Sequence, residues 1–185
     1  GLNGAGRLSG NTLAEAVVFG RRAGATAAAH AKSGPAKKFP ATALSDEEKR
    51  LGSFIGGTGG NGSTDGAGKI YSELARLMSE KVGAERDARG LEEALERIGG
   101  LKERHAKLRV KNSSRIYNYE LTSHLELGSL LTLGEAVARS ALSRTESRGA
   151  HHRTDFPRRD DENWRRHTVA SLVKGSLKLE TKALG

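Results

Sequence analysis

Residues 144–168 read RTESRGAHHRTDFPRRDDENWRRHT. The segment contains seven Arg, five acidic residues and the only Trp of the chain, but almost no aliphatic side chains. Such a composition cannot form a hydrophobic core of its own. The rigid fork of donors on each guanidinium suits bidentate pairing with carboxylates. We therefore expect the segment to lie across another surface and to make paired charged contacts there; the alternative is an exposed tail of mixed charge.

The composition of the whole chain disfavours several classes of protein. The 185 residues carry a net charge of +9, and only 4% are aromatic. Nucleic-acid-binding proteins usually concentrate charge on one face and add aromatic side chains for stacking, so this role is disfavoured.

The absence of Cys excludes disulfides, zinc–thiolate sites and iron–sulfur ligation by this chain. The six His are scattered apart from His151 and His152, and no metal site is predicted. No apolar run approaches the roughly 18–20 residues of a membrane span, and no stretch resembles a signal peptide.

Three amphipathic stripes precede the Arg-rich segment, with apolar residues at three- and four-residue spacing. They run over residues 70–82, 91–108 and about 117–144, and the second is weakened by Gly99 and Gly100. Because their connections are short, the fold class is predicted to be mainly α, with an antiparallel three-helix bundle over residues 69–148. A bundle of this size buries only about 60% of its chain surface, so packing against a neighbour is expected.

The remaining segments are predicted to be less regular. Residues 32–68 contain two of the three Pro and a run rich in Gly, Ser, Thr and Asn, which indicates a linker. A G-x-G-x-x-G match at residues 57–62 lacks the preceding strand and following helix that dinucleotide binding needs, so that role is disfavoured. Residues 149–185 are expected to form an irregular Arg-rich tail, in which residues 176–181 alternate between apolar and polar as in a short strand.

The N-terminal segment predicts a helix that belongs to a larger domain. Thr12 and Glu15 are spaced as a capping box, so the helix should run from about Leu13 to His30. Ala and Gly recur along one side of it, which indicates close packing, as of a helix laid on a sheet. The sequence contains no strand-rich region to supply that sheet. The chain also begins at Gly1 without Met, and we expect it to be a fragment.

Two blocks of sequence carry a resemblance to a known family. The first reads GAGRLSGNTLAE at residues 4–15 and VVFGR at residues 17–21; the second is RTESRGAHHRTDFP at residues 144–157, continued by RDDENW. Both resemble the C-terminal region of succinate dehydrogenase and fumarate reductase flavoprotein subunits, as does YNYEL at residues 117–121. The family motif has Asn at the position of Gly6 and Ser at the position of Thr12. The resemblance covers most of the chain outside the linker.

The resemblance implies the C-terminal part of an FAD-dependent oxidoreductase that interconverts succinate and fumarate by hydride transfer. Electrons would leave to a separate redox partner, with an iron–sulfur subunit in the parent complex. Residues 1–31 would end the FAD-binding domain, 32–68 would be the linker, 69–148 the bundle, and 149–185 would pack on the flavin domain. The fragment alone should be inactive, because the rest of the flavin site lies upstream. The parent would be cytoplasmic, and partner subunits could hold it at the inner face of the membrane.

The resemblance also assigns roles to individual residues. Arg7 would bind a carboxylate of the C4 dicarboxylate substrate, and the backbone of Thr12 and Leu13 would contact the isoalloxazine ring of FAD. A helix N-terminus suits this contact, because its N–H groups stabilise the negative charge of reduced flavin. No catalytic residue is assigned. The charged residues of the second block, Arg144 to Asp155, would pack the helical domain against the flavin domain, and His151 is expected to be structural.

Two alternatives remain at this point. An L-aspartate-oxidase-like flavoprotein shares the Ser-Arg-Gly-x-His pattern, although RDDENW at residues 159–164 favours the dehydrogenase side. The other is a stand-alone helical interaction module, because the bundle is the only self-contained structure that the sequence predicts. The length of the source protein separates this module from a flavoprotein of several domains.

Overall fold

The computed structural model describes residues 10–34, 38–55, 66–114 and 116–184. Three helices form the core of the fold: α3 (Ala67–Lys81), α4 (Ala88–Lys107) and α5 (Tyr119–Ser143). Each packs against the other two. Asp87 caps α4 by accepting a hydrogen bond from the Gly90 amide, and Asn118 caps α5 by accepting one from the Leu121 amide. The predicted mainly helical architecture is confirmed.

The predicted stripes supply most of the buried core, but Leu127 was not part of the predicted third stripe, and Val137, which was, is 46% exposed. The core's largest fully buried aliphatic side chains come from all three helices: Ile70, Leu77, Leu91, Ile98, Leu127 and Leu131. Burial of each stabilises the fold by about 1.5–3 kcal/mol relative to an exposed position. Helix α4 continues through Gly99 and Gly100, because the apolar contacts on either side outweigh the low helix propensity of Gly. Gly134 allows close packing, since a Cβ there would lie 3.4 Å from Met78 Sδ.

Helix α1 (Asn11–Lys32) confirms the predicted N-terminal helix but begins differently. Its N-cap is Gly10, with φ of 83°, so Thr12 lies inside the first turn and the predicted capping box with Thr12 as N-cap is wrong. The left-handed conformation favours Gly, and a glycine cap was not apparent from the Ser/Thr-x-x-Glu spacing. No residue of α1 is buried. Arg7 and the rest of residues 1–9 lie outside the described residues.

The range predicted as a linker contains regular structure. Helix α2 (Ala43–Gly52) lies within residues 32–68, and the Val110 amide donates a hydrogen bond of 2.8 Å to the Phe54 carbonyl. The range is therefore not a structureless loop throughout, while its role as a linker stays a prediction. Glycine and proline dominate the ends of this range, and they obscured a short amphipathic stretch between them. The G-x-G-x-x-G match at residues 57–62 lies outside the described residues.

The C-terminal segment forms a hairpin and not an irregular tail. Strand β3 (Arg166–Val173) pairs antiparallel with β4 (Ser176–Ala183), which contains the predicted strand at residues 176–181. The connecting residues Lys174 and Gly175 both have positive φ, as in the two-residue turns that match the twist of a hairpin. The strand β3 was missed because it begins with Arg166, His167 and Thr168, which gave no alternating pattern.

Two further elements connect the Arg-rich segment to the bundle. Strand β1 (Glu85–Arg86), between α3 and α4, pairs in parallel with β2 (His152–Arg153). A short helix α6 (Asp161–Trp164) precedes the hairpin and is capped by Asp160. Within the described ranges, no helix is both long enough and apolar enough to cross a membrane.

Candidate functional site

A cluster of arginines and carboxylates lies where the end of α5 meets the start of α4. At its centre is Glu146, whose side chain is fully buried. Its Oε1 accepts hydrogen bonds from Arg144 Nε (2.9 Å) and Arg148 Nε (2.7 Å), and its Oε2 accepts from Arg148 Nη2 and the Asp160 amide (both 2.9 Å). Burial raises the pKa of Glu146, but these donors outweigh burial and hold its pKa below the usual value. The carboxylate is therefore ionised and fully paired.

Arg153 joins two helix ends through its guanidinium. The side chain is 1% exposed, and Nη1 donates to the carbonyls of Ala141 (2.9 Å), Leu142 (3.1 Å) and Arg144 (3.3 Å) at the end of α5. The last carbonyls of a helix lack partners within the helix and carry partial negative charge, so a cation satisfies them. Nε and Nη2 form a bidentate pair with the two oxygens of Asp155, at 2.7 and 2.6 Å.

Asp155 extends this connection to the start of α4. Its Oδ2 accepts a hydrogen bond of 2.9 Å from the Ala88 amide in the first turn of that helix. The Arg153 hydrogen bonds, together with the Ala88 amide, lower the pKa of Asp155 to about 2 in spite of partial burial. A cation at the C-terminus of α5 and an anion at the N-terminus of α4 are both favoured by the helix dipoles.

His151 has a defined tautomer in this cluster. Arg86 Nη1 lies 3.2 Å from His151 Nδ1, and His151 Nε2 lies 3.3 Å from the Arg144 carbonyl. Because a guanidinium only donates and a carbonyl only accepts, Nδ1 must be the acceptor and Nε2 must carry the proton. Burial lowers the pKa of His151, and the neighbouring arginines lower it further. The neutral ring is held between fixed partners, which favours the expected structural role over proton transfer.

Arg144 closes the C-terminal segment over this end of the bundle. Its guanidinium donates to the carbonyls of Trp164 and Arg166 and to the Thr168 hydroxyl, and it lies 5.2 Å from the centre of the Trp164 ring. The indole Nε1 donates in turn to the Thr145 hydroxyl at 2.9 Å. The paired contacts predicted for residues 144–168 are therefore made with one another and with helix ends of the same chain. Glu146 and Arg153 are buried among these contacts. Their side chains are therefore not available to contact another domain, which differs from the expectation for these two residues.

The predicted flavin contacts lie in a separate part of the chain. Thr12 and Leu13 occupy the first turn of α1, where the Leu13 amide donates to the Gly10 carbonyl at 3.2 Å and the Leu13 side chain is 73% exposed. That turn contains no acidic residue, so no carboxylate on it would repel an anionic ligand. Arg7, the predicted substrate ligand, lies outside the described residues.

The chemistry available to the cluster is positioning rather than catalysis. Its carboxylates are occupied by guanidinium groups, and within the part of the chain that is described no group of three His, Asp or Glu could hold a metal ion. Arg86 belongs to a stretch that resembles the family, but sequence analysis assigned it no role or partner, since it is separated from His151 by 65 residues. Only the parallel pairing of β1 with β2 brings these residues together, and two-residue strands have no sequence pattern to reveal them.

The fold defines a helical domain whose helix ends are held by buried ion pairs. Residues 71–184 match the family described as fumarate reductase flavoprotein C-terminal, and the chain belongs to this family. It is 36% identical over 170 residues to the fumarate reductase flavoprotein subunit of Haemophilus influenzae, covering 92% of this chain and 28% of the relative. It is 41% identical over 177 residues to that of Mycobacterium tuberculosis, covering 91% of this chain and 29% of the relative.

A solved structure shows the same likeness. A chain of Escherichia coli quinol fumarate reductase superposes with a TM-score of 0.82 at 34% identity, over 96% of this chain and 31% of that one. The chain thus spans less than a third of the length of the relatives it matches. The predicted membership of the succinate dehydrogenase and fumarate reductase flavoprotein family is confirmed.

Proposed function

We propose that this chain is the C-terminal part of an FAD-dependent oxidoreductase that interconverts succinate and fumarate. Beside family membership, the solvent exposure of α1 is the observation that carries the proposal. None of its 22 residues is buried, and Leu13 and Val17 are 73% and 63% exposed. A helix with apolar side chains left in water is expected to have its packing partner elsewhere. That partner would be the FAD-binding domain in the remaining two thirds of the parent.

The first turn of α1 fits a contact with flavin. Gly10 has positive φ, and among the described residues no atom lies within 4 Å of where a Cβ would stand, so a flat ring system could approach the backbone closely. The N-terminal amides and the dipole of a long helix favour negative charge, and no acidic side chain opposes it there. The backbone of Thr12 and Leu13 would then bind the isoalloxazine ring. FAD would supply the hydride acceptor and donor, while Arg7 would hold a substrate carboxylate by a bidentate pair.

The Arg–carboxylate cluster would serve this function indirectly. It fixes the ends of α4 and α5 and the hairpin as one body, so the helical domain can pack on the flavin domain as a unit. The electrons are expected to leave the parent to a separate redox partner, an iron–sulfur subunit. Residues 1–31 would complete the flavin domain, and residues 69–185 would form the helical domain and its C-terminal extension.

Steady-state kinetics on the full-length parent test the proposal. We expect bound FAD, oxidation of succinate with an artificial acceptor and reduction of fumarate with an artificial donor. L-aspartate is the informative competing substrate, because its oxidation with no turnover of succinate would indicate the oxidase relative instead. A source protein with no flavin domain would leave only a helical interaction module.

The isolated chain provides a second test. Because the cradle for the adenosine and pyrophosphate is expected upstream, residues 1–185 should bind FAD only weakly and should not turn over either dicarboxylate. Titration of FAD with the chain, followed by flavin fluorescence, measures this. Binding at micromolar or lower concentration would show that the chain contains a complete flavin site.

A further inference from the structure

Two histidines from different helices stack against each other in the bundle. The ring centres of His105 on α4 and His124 on α5 lie 4.3 Å apart, and the ring planes are inclined by 25°. His105 Nε2 lies 2.9 Å from the His124 carbonyl, and because a carbonyl only accepts, this nitrogen carries a proton. Gly128 leaves room for the approach, since a Cβ there would lie 3.0 Å from His105 Cε1. We call the two rings the histidine pair.

One ring nitrogen of His124 is buried without a hydrogen bond. The residue is 3% exposed, and Nε2 is shielded from solvent and has no partner among the residues that the structure describes. A neutral imidazole tolerates this position, because Nε2 can be the nitrogen that carries no proton. An imidazolium carries an N–H at both nitrogens. Protonation would therefore bury a charged donor that has nothing to donate to, which is costly.

The charges around His124 also oppose its protonation. His105 faces it from α4, and Arg109 lies on the segment that follows that helix. Glu120 on α5 acts in the other direction, but two backbone amides already donate to its carboxylate. Burial lowers the pKa of His124, and His105 and Arg109 lower this pKa further, against a smaller opposing effect of Glu120.

Phe54 connects the histidine pair to α2. Its ring centre lies 4.7 Å from that of His124, and its carbonyl accepts a hydrogen bond of 2.8 Å from the Val110 amide. A further cation stands here, because the Arg50 guanidinium lies 5.5 Å from the centre of the Phe54 ring while it pairs with Glu47. None of the ten residues of α2 is buried. The position of α2 on the bundle therefore depends largely on the contacts of Phe54.

The surroundings of Phe54 leave room for it to move. A cavity of about 470 Å³ borders the Phe54 ring and both imidazoles. If Phe54 turned away, water could reach His124 and solvate a charged ring. We propose that the histidine pair is a pH-sensitive latch, in which the neutral rings hold Phe54 and α2 on the bundle and protonation of His124 releases them while the bundle stays folded.

The latch would act on the connection between two domains. Residues 32–68 are predicted to link the flavin domain to the bundle, and α2 lies within this range. Release of α2 would lengthen the free chain between the domains and allow them more relative motion. This consequence rests on the proposed function. The latch itself does not, because it involves neither flavin nor dicarboxylate.

Hydrogen exchange in the full-length parent tests the latch. The Val110 amide reports whether Phe54 is docked, so its protection factor is measured from about pH 7.5 to 5.5 and corrected for intrinsic exchange. Uptake of one proton on release should lower this factor by up to tenfold per pH unit below about 6.5. It should also stay well below the protection factor of the Leu131 amide in the core of α5. Equal factors at the two amides would mean that both exchange through unfolding of the whole domain, which overturns the proposal.

Substitutions of His124 identify the titrating group. His124→Phe keeps an aromatic ring against Phe54 and cannot be protonated, so the protection factor of Val110 should not vary over this range of pH. His124→Leu has no ring to overfill the site and should give the same flat profile. His167→Gln removes an exposed imidazole on β3 and is the matched control, which should keep the wild-type profile. A flat profile in the wild type, or the wild-type pH dependence in either His124 variant, overturns the latch.

Discussion

The Arg153 guanidinium holds both oxygens of Asp155 at 2.6 and 2.7 Å while it caps the last carbonyls of α5. Asp155 in turn accepts the Ala88 amide at the start of α4. Two side chains therefore connect the end of one core helix to the beginning of another. The connection is local in sequence, since Arg153 and Asp155 are two residues apart, but it joins elements far apart in the chain.

Arg153→Met should destabilise the chain strongly. The substitution leaves the Ala141 and Leu142 carbonyls without the Arg153 donor and Asp155 without its cation. Breaking one side of a buried ion pair costs about 3–5 kcal/mol. The free energy of unfolding from urea titration measures the loss. Arg159→Met is the matched control, because Arg159 pairs with Asp161 on the exposed surface and should leave the urea midpoint nearly unchanged. Equal midpoints for the two variants would show that Arg153 does not clamp the helix ends.

Acidification should destabilise the chain in two ranges of pH. Burial lowers the folded-state pKa of His151 and of His124, so the unfolded chain binds more protons as pH falls below about 6.5, and stability decreases there. The lowered pKa of Asp155, about 2, contributes stability that is present above the unfolded value near 4 and is lost as pH falls toward 2. Urea titrations across pH 3–8 should show both slopes.

His151→Asn tests the first of these slopes. Asn offers an oxygen near the position of Nδ1, so the Arg86 bond can persist while the titrating ring is lost. We expect a shallower loss of stability between pH 6.5 and 5 than in the wild type. His152→Asn, at the exposed neighbouring position, should keep the wild-type slope. An unchanged slope in His151→Asn would show that protonation of His151 does not oppose folding.

Two Gly→Ala substitutions should distinguish the effect of helix propensity on stability from the effect of side-chain packing. A Cβ at Gly99 would meet no atom of another described element within 4 Å, so Gly99→Ala should stabilise α4 by about 0.5–1 kcal/mol. A Cβ at Gly128 would lie 3.0 Å from His105 Cε1, where the imidazole also bonds the His124 carbonyl at 2.9 Å. Gly128→Ala should therefore lose that gain or become destabilising. The melting temperatures of the two variants test this difference. Equal stabilisation by both substitutions would mean that His105 moves aside at no cost.

Periodicity predicted the parts of this fold that depend on repeated burial. The three stripes gave α3, α4 and α5, because Ile70, Leu91 and Leu131 belong to patterns that recur along one helix face. Features that rest on single residues were missed. The Gly10 cap and the Lys174–Gly175 turn depend on positive φ, which residue type alone does not reveal at a lysine.

The candidate site was predicted only in part for a related reason. Arg-rich composition correctly indicated paired charges, but it gave no partners, because the fold decides which carbonyl or carboxylate lies beside a guanidinium. Glu146 illustrates this point. Two neighbouring arginines and the Asp160 amide surround it, and the amide comes from 14 residues away. A turn through residues 147–159 brings it there, and composition alone does not predict that path.

The role proposed for Arg7 can be tested in the full-length parent. If its guanidinium holds a substrate carboxylate in a fork, Arg7→Lys keeps the charge but loses the bidentate geometry. Because a charge-assisted hydrogen bond contributes about 1.5–3 kcal/mol, kcat/KM for both dicarboxylates should fall by roughly tenfold to a hundredfold or more. FAD content and melting temperature should change little, since a ligand to substrate need not support the fold. Arg89→Lys, at an exposed position on α4, is the matched control and should keep wild-type kinetics. A drop in flavin content or melting temperature would make Arg7 a structural residue, and wild-type kcat/KM with both succinate and fumarate would remove it from the active site.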